Sequence, residues 1–164
     1  SINDNGITGL LNINKLQIDS VQIPNIQIDY SFIKGVKFPF DIAFTSNEFS
    51  GSMKLNYINS YNYNIKGQLK ISDLNFKNYI KKLDESKINA DINLSYYRNL
   101  ESTKILFDLK SKDGYYNTNS FDEVIASLIY YYDNNNYKII SNANISGYQN
   151  NYTSWKEIIL NMNF

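Results

Sequence analysis

A seven-residue pattern recurs three times in this chain: Gly51-Ser-Met-Lys-Leu-Asn-Tyr57, Ala90-Asp-Ile-Asn-Leu-Ser-Tyr96 and Ala126-Ser-Leu-Ile-Tyr-Tyr-Tyr132. Each copy opens on a small residue and closes on tyrosine. Between them, apolar side chains occupy every second position (Met53 and Leu55, Ile92 and Leu94, Leu128 and Tyr130), the period that puts them on one face of a strand. The copies begin 39 and then 36 residues apart. A recurrence of that length marks a supersecondary unit that cannot bury its apolar face alone and needs further copies against it. The pattern predicts repeated β-architecture, with function carried by a surface and not by a catalytic constellation.

The alternation extends well beyond the three copies. Leu11 and Ile13 are followed by a change of phase to Leu16 and Ile18, read as a strand with a bulge near Asn14 and Lys15. Val21 and Ile23 precede Pro24, which lacks a ladder donor and marks an edge or a break, and Ile26, Ile28 and Tyr30 resume beyond it. Lys34-Gly35 is a turn signal, Pro39 suits an edge or a strand start, and Phe38, Phe40, Ile42 and Phe44 share one face until Ser46-Asn47 ends the run. Each repeat copy then returns through a polar turn, at Ile58-Asn59-Ser60, at Arg98-Asn99-Leu100-Glu101 and at Asp133-Asn134-Asn135-Asn136. The spacing predicts strands near 9–18, 36–45, 50–57, 62–72, 88–97, 104–111, 126–133, 137–147 and 156–164. Two stretches have helical spacing instead. Phe76, Tyr79, Ile80 and Leu83 follow Asp73 as an N-cap and predict two to three turns. Phe121, Val124, Ile125 and Leu128 follow Ser120 and Glu123, a capping-box pair, and predict a second connector helix.

Composition narrows the chemistry. The 16 basic residues balance 16 acidic ones, so the field that attracts nucleic acid is missing. No histidine is present, which removes the commonest general base, the Ser-His pairing and the commonest metal ligand. Cysteine is absent too, so disulfides and thiolate metal sites are excluded. Asp84-Glu85 and Asp122-Glu123 are neighbours that cap or solvate connectors, and Asp133-Asn134-Asn135-Asn136 lacks the glycine and glutamate of a calcium loop. The sequons Asn93-Leu-Ser and Asn151-Tyr-Thr are expected matches in so asparagine-rich a chain. The 15 tyrosines read as cross-strand partners on a half-wetted sheet, because stacking on nucleic acid wants a basic groove as well. The chain is read as non-enzymatic, without catalytic residue, metal or cofactor. No apolar run is long enough for a spanning helix and no leader precedes Ser1, so it is expected to be a fragment of a larger protein, one β-repeat segment over residues 1–164.

The run Gly51-Ser-Met-Lys-Leu-Asn-Tyr57, continued by Tyr63-Asn-Ile-Lys-Gly67-Gln-Leu-Lys-Ile-Ser-Asp-Leu-Asn-Phe76, resembles the degenerate repeat of the AsmA and TamB superfamily of bacterial envelope proteins. Gly9-Leu-Leu-Asn-Ile-Asn-Lys-Leu-Gln-Ile18 and Pro24-Asn-Ile-Gln-Ile-Asp-Tyr30 are similar in style. The resemblance implies an all-β fold of repeated antiparallel hairpins forming a curved sheet, a taco-like or solenoid-like β-groove with one or two short connector helices. It further implies a periplasmic segment, anchored in the inner membrane by a part of the protein not present here, that conducts phospholipid between the two membranes or supports outer-membrane assembly. The implied partners are acyl chains, the flanking β-repeats of the parent chain and an outer-membrane protein, with no nucleic acid. The alternative is a structural or adhesin-type β-repeat module of a cell-surface protein. On the lipid reading the groove is lined by Phe40, Ile42, Phe44, Met53, Leu55, Leu69, Ile71, Ile92, Leu94, Phe107, Leu109, Leu128 and Ile139, all on one concave face.

Overall fold

The computed structural model describes residues 2–3, 6–18, 21–33, 40–59, 61–78, 80 and 83–164. Eleven strands follow one another: β1 (Ile2–Asn3), β2 (Gly6–Ile18), β3 (Val21–Ile33), β4 (Phe40–Thr45), β5 (Phe49–Asn59), β6 (Asn62–Leu74), β7 (Ser86–Arg98), β8 (Ser102–Tyr116), β9 (Asn119–Asp133), β10 (Asn136–Gln149) and β11 (Ser154–Asn163). They form one sheet in sequence order, every pairing antiparallel, and β1 is only a two-residue stub. The sheet is curved and does not close. The three repeat copies lie in β5, β7 and β9, so the repeat is a hairpin laid beside its neighbours and not a coil stacked on them.

One layer cannot bury a core. The accessible surface is 11484 Å² for 19.1 kDa, whereas a compact monomer of that mass exposes roughly 8400 Å². Among the described residues the only buried apolar side chains are Ile26 at 8% and Ala90 at 7% exposure. Cohesion comes from the hydrogen-bonded ladders and from side chains packing sideways across strands, each favourable cross-strand pair contributing about 0.2–1 kcal/mol. Strands this long accumulate many such pairs.

Turn chemistry sets the registers. Asn134 and Asn135 both hold left-handed backbone (φ 45° and 67°), as a two-residue hairpin of matching twist demands, so the oxygen-rich run ending at Asn136 is a turn. The longer turns use one device twice. Asn99 Oδ1 accepts from the Glu101 and Ser102 amides at 3.0 and 2.6 Å, and Asn150 Oδ1 accepts from those of Tyr152 and Thr153 at 2.8 and 2.7 Å.

Four expectations need correction. The second helical stretch is extended throughout: Phe121, Val124, Ile125 and Leu128 belong to β9, and Glu123 pairs with Lys110 and Lys112 at 3.5 and 3.7 Å instead of closing a capping box. The first narrows to one 3-10 turn at Phe76–Asn78, because the Phe76 amide donates to Ser86 Oγ at 2.8 Å and Asn75 Oδ1 accepts from the Lys77 amide at 3.1 Å. Tyr79 lies outside the described residues. The phase change in β2 is no one-sided bulge, since the β2–β3 register is the same on both sides of it and the adjustment falls on Asn25, left-handed at φ 51°. Finally, β3 occupies a span absent from the predicted strands, and of the two readings of Pro24 the edge holds and the break does not: it pairs with Lys15 but sits beyond the reach of β4, whose pairing with β3 stops at Gln27–Thr45. Pro24 therefore faces an open side, as a missing donor requires. The turn expected at Lys34-Gly35 and the residues Phe38 and Pro39 fall outside the described residues.

Candidate functional site

Antiparallel partners point to the same side, so the registers can be followed from strand to strand across the whole sheet. One row runs Leu11–Ile28–Phe44–Gly51–Leu69–Ile92–Leu109–Ala126–Ala143–Leu160, with no polar side chain in it. The next on the same face contains Tyr30, Ile42, Met53, Leu94, Phe107, Leu128 and Met162, and the one beyond it Phe32, Leu55, Ile65, Tyr96, Ile105, Tyr130 and Ile139. A fourth, on the other flank, holds Ile13, Ile26, Phe49, Ile71, Ala90, Val124, Ile145 and Ile158. From the row of Ile71 to that of Ile65 is about 20 Å along the strands, and β2 to β11 spans about 43 Å across them.

Of the thirteen residues read from sequence as lining, twelve share this face. For Phe40 only its backbone pairing with Phe32 and Leu55 is described. The sequence reading missed the contribution of β2 and β3 and the aromatic Tyr96 and Tyr130, although alternation at Ile26, Ile28 and Tyr30 signalled the former. The repeat copies keep their face but not their row. Gly51 and Ala126 share a row, while Ala90 stands one row away, next to Ile71. A slide of two residues preserves the face, because the side-chain period is two.

The opposite face is polar. There Asp41 pairs with Lys54 at 3.7 Å, Asp91 stands between Lys70 and Lys110, and Asn144 donates to Glu157 at 2.8 Å. Two open hollows of about 430 and 440 Å³ lie over it, lined chiefly by its own short and charged side chains, among them Ser31, Asp41 and Lys54 in one and Ser50, Gln68 and Asp91 in the other. The apolar face stays open to its surroundings, with Leu94 at 42% and Leu160 at 56% exposure.

One flank of the apolar band changes character. Past the row of Ile65 and Tyr96 come Tyr63, Arg98, Thr103, Tyr132 and Tyr137 as successive partners. Tyr63 and Tyr96 stack at 5.8 Å between centroids with 28° between planes. The hydrogen bond from Tyr63 to Tyr96, more than its slight burial, pushes the Tyr63 phenol up. At Tyr96 burial opposes ionisation, but hydrogen bonds from Tyr63 and Arg98 and the guanidinium's charge outweigh it and hold this phenol below the usual tyrosine range. Arg98 in turn is raised, first by its hydrogen bond to Tyr96. Sequence reading had placed Arg98 in a turn; its parity with Leu94 and Tyr96 was the signal that it belongs to the face.

At the other flank the ladder creases. Asp73, Asp113 and Gly147, each two residues past the row of Ile71, hold left-handed backbone at φ 54°, 49° and 63°. Beyond the crease Ser86, at 2% exposure, and the T-shaped pair Phe76–Tyr116 fix the connector between β6 and β7. Among the described residues no three His, Cys, Asp or Glu side chains gather as a metal site.

The architecture thus defines a class: a single-layered antiparallel β-meander, apolar on one face and polar on the other. No family model, curated protein or solved structure matches the chain.

Proposed function

We propose that the chain is a segment of a lipid-conducting β-groove, whose apolar face receives phospholipid acyl chains and passes them along the row direction. One observation carries the reading: four adjoining rows, each reaching nine or ten strands and interrupted only by Ser111, Ser141 and tyrosine hydroxyls, lie uncovered within a single sheet. Water is a poor occupant of such a face, since each methylene transferred onto it is favoured by roughly 0.8 kcal/mol. The dimensions suit acyl chains, because a band about 20 Å deep accepts the roughly 15 Å of hydrocarbon that one leaflet contains. No charged side chain interrupts the four rows, so a tail meets the same environment from strand to strand. On this reading the protein is non-enzymatic, works in the periplasm between two membranes, and is completed by flanking β-repeats that supply the facing wall and by an outer-membrane protein that takes the lipid over. The AsmA and TamB resemblance supports the same assignment.

The test is mass spectrometry of lipids carried by the purified native protein, together with photo-crosslinking from Leu94 or Phe107, which are cross-strand partners in the middle of the face. Co-purifying phospholipid and tail crosslinks are the expected result. A chain that folds, carries no lipid and gives no crosslink at either position is a structural or adhesin-type repeat instead.

A further inference from the structure

Arg98 is the only arginine in the chain and, among the described residues, the only charged side chain on the apolar face from the crease to the tyrosine flank. Its side chain is exposed, so the charge is open to a ligand at the edge of the apolar rows. Its neighbours are neutral: Tyr63 and Thr103 stand opposite on the adjoining strands, and Tyr96 is the next residue on the same face of β7. None of the five ion pairs among the described residues includes it, as none includes Lys66, Lys70, Lys104 or Lys138, but those lysines stand on the opposite face. The guanidinium therefore stands beside phenols, in none of the ion pairs found among the described residues. It presents a planar fork of donors, and the fork geometry matches an oxyanion.

Its place in the sheet says what the oxyanion belongs to. A chain lying along a strand direction from the row of Ile71 to that of Ile65 ends one row short of Arg98. Tyrosine hydroxyls gather at that same end, as they do where hydrocarbon meets water. We propose that Arg98, with Tyr63, Tyr96 and Thr103 around it, is a head-group site that takes the phosphodiester of a phospholipid whose tails lie on the apolar rows. The site rests on the acyl-chain reading above and adds polarity to it: lipids enter one way round, heads at the tyrosine flank and tails toward the crease.

Native mass spectrometry of the chain with phosphatidylglycerol and with diacylglycerol of the same acyl chains separates the two layers of the proposal. The wild type is expected to favour phosphatidylglycerol about tenfold, the order given by one charge-assisted hydrogen-bonded contact. In Arg98→Gln that ratio falls to about one, and Arg98→Lys restores part of it, since a point charge replaces the fork. Circular dichroism of each variant confirms the β-fold. Equal binding of both lipids by the wild type, or an unchanged ratio in Arg98→Gln, overturns the head-group site and leaves the acyl face standing; failure of both lipids to bind overturns both. Inorganic phosphate is the third arm. If it alone protects Tyr96 from alkaline titration as well as phosphatidylglycerol does, the site serves free anions and not lipid heads, and the proposal falls.

Discussion

The ring of Phe44 occupies the space in which a Cβ at Gly51, its cross-strand partner, would stand. Phe44 Cζ comes within 2.5 Å of that position and the Gln68 carbonyl within 2.6 Å. The same relation joins Gly9 to the Tyr30 ring and Gly114 to that of Phe121, each pair directly opposite in the ladder. Glycine at these three positions is thus space ceded to a cross-strand aromatic ring, which covers the bare backbone that glycine leaves. Gly51→Ala is expected to destabilise the fold by about 1–3 kcal/mol through overpacking. Gly67 is the control, since its nearest atom is the Ser52 carbonyl at 3.7 Å; there alanine is expected to stabilise by about 0.5 kcal/mol. Urea midpoints of the two variants measured side by side decide it, and shifts of the same sign would remove the Phe44 explanation.

Ser86 is where the connector between β6 and β7 is held. Its hydroxyl accepts from the Phe76 amide at 2.8 Å and donates to the Leu74 carbonyl at 3.4 Å, while its own amide donates to Asn75 Oδ1 at 3.2 Å. Removing the hydroxyl leaves a poorly hydrated amide without a partner, so Ser86→Ala is expected to cost about 1–3 kcal/mol. Amide exchange resolves the effect by position. Faster exchange at Phe76, with β9 and β10 unchanged, is the predicted pattern, and uniform acceleration across the sheet would contradict it.

The strand period is legible because one side of this sheet is apolar almost throughout, and that same alternation places Met53, Leu69, Ile92, Phe107 and Leu128 together from sequence alone. The errors have local causes. Ile125 and Ile129 belong to a minority of apolar side chains on the mostly polar face, with Leu106, Ile140 and Ile159, and together with Val124 and Leu128 they imitate a helical period inside a strand. Phe76, Ile80 and Leu83 do have helical spacing, and the Ile80 amide donates to the Phe76 carbonyl at 2.8 Å, but serine and asparagine side chains take the amides of Phe76 and Lys77. Pro24 hid β3 because its edge position depends on where β4 ends, which is a property of pairing and not of the β3 sequence. The row slide of the middle repeat was invisible for a related reason: bulges between Ile71 and Leu74 and between Lys87 and Ala90 shift register without disturbing alternation along either strand.

Two neighbouring positions on β7 separate the faces cleanly. Leu94 stands on the apolar side opposite Gly67 and Phe107, and Ser95 on the polar side opposite Lys66 and Leu106. Leu94→Asp is expected to reduce acyl-chain crosslinking at least tenfold, because an unpaired carboxylate against hydrocarbon costs several kcal/mol. Ser95→Asp adds the same charge beside a lysine and is expected to leave crosslinking within about twofold, as surface substitutions of this kind usually do. Equal loss in both folded variants would mean that added charge, and not the identity of the face, governs binding.

The tyrosine pair predicts an alkaline titration with an early and a late step. Tyr96 lies below the usual tyrosine value of 10.0 and Tyr63 above it. The signs differ in their consequences. Tyr63, raised in the folded state, adds stability that is fully present below the unfolded value and is lost as pH climbs through its folded pKa. Tyr96, depressed, adds none at neutral pH; its contribution grows as pH rises through the folded pKa and is complete only above the unfolded one. Phenolate absorbance should therefore show one of the 15 tyrosines ionising ahead of the bulk. Arg98→Gln removes the guanidinium that favours the Tyr96 phenolate, so the early step is expected to move up and merge with the rest, while Tyr96→Phe deletes it outright. An early step that survives Arg98→Gln unchanged would place its origin elsewhere and detach the arginine from the tyrosine pair.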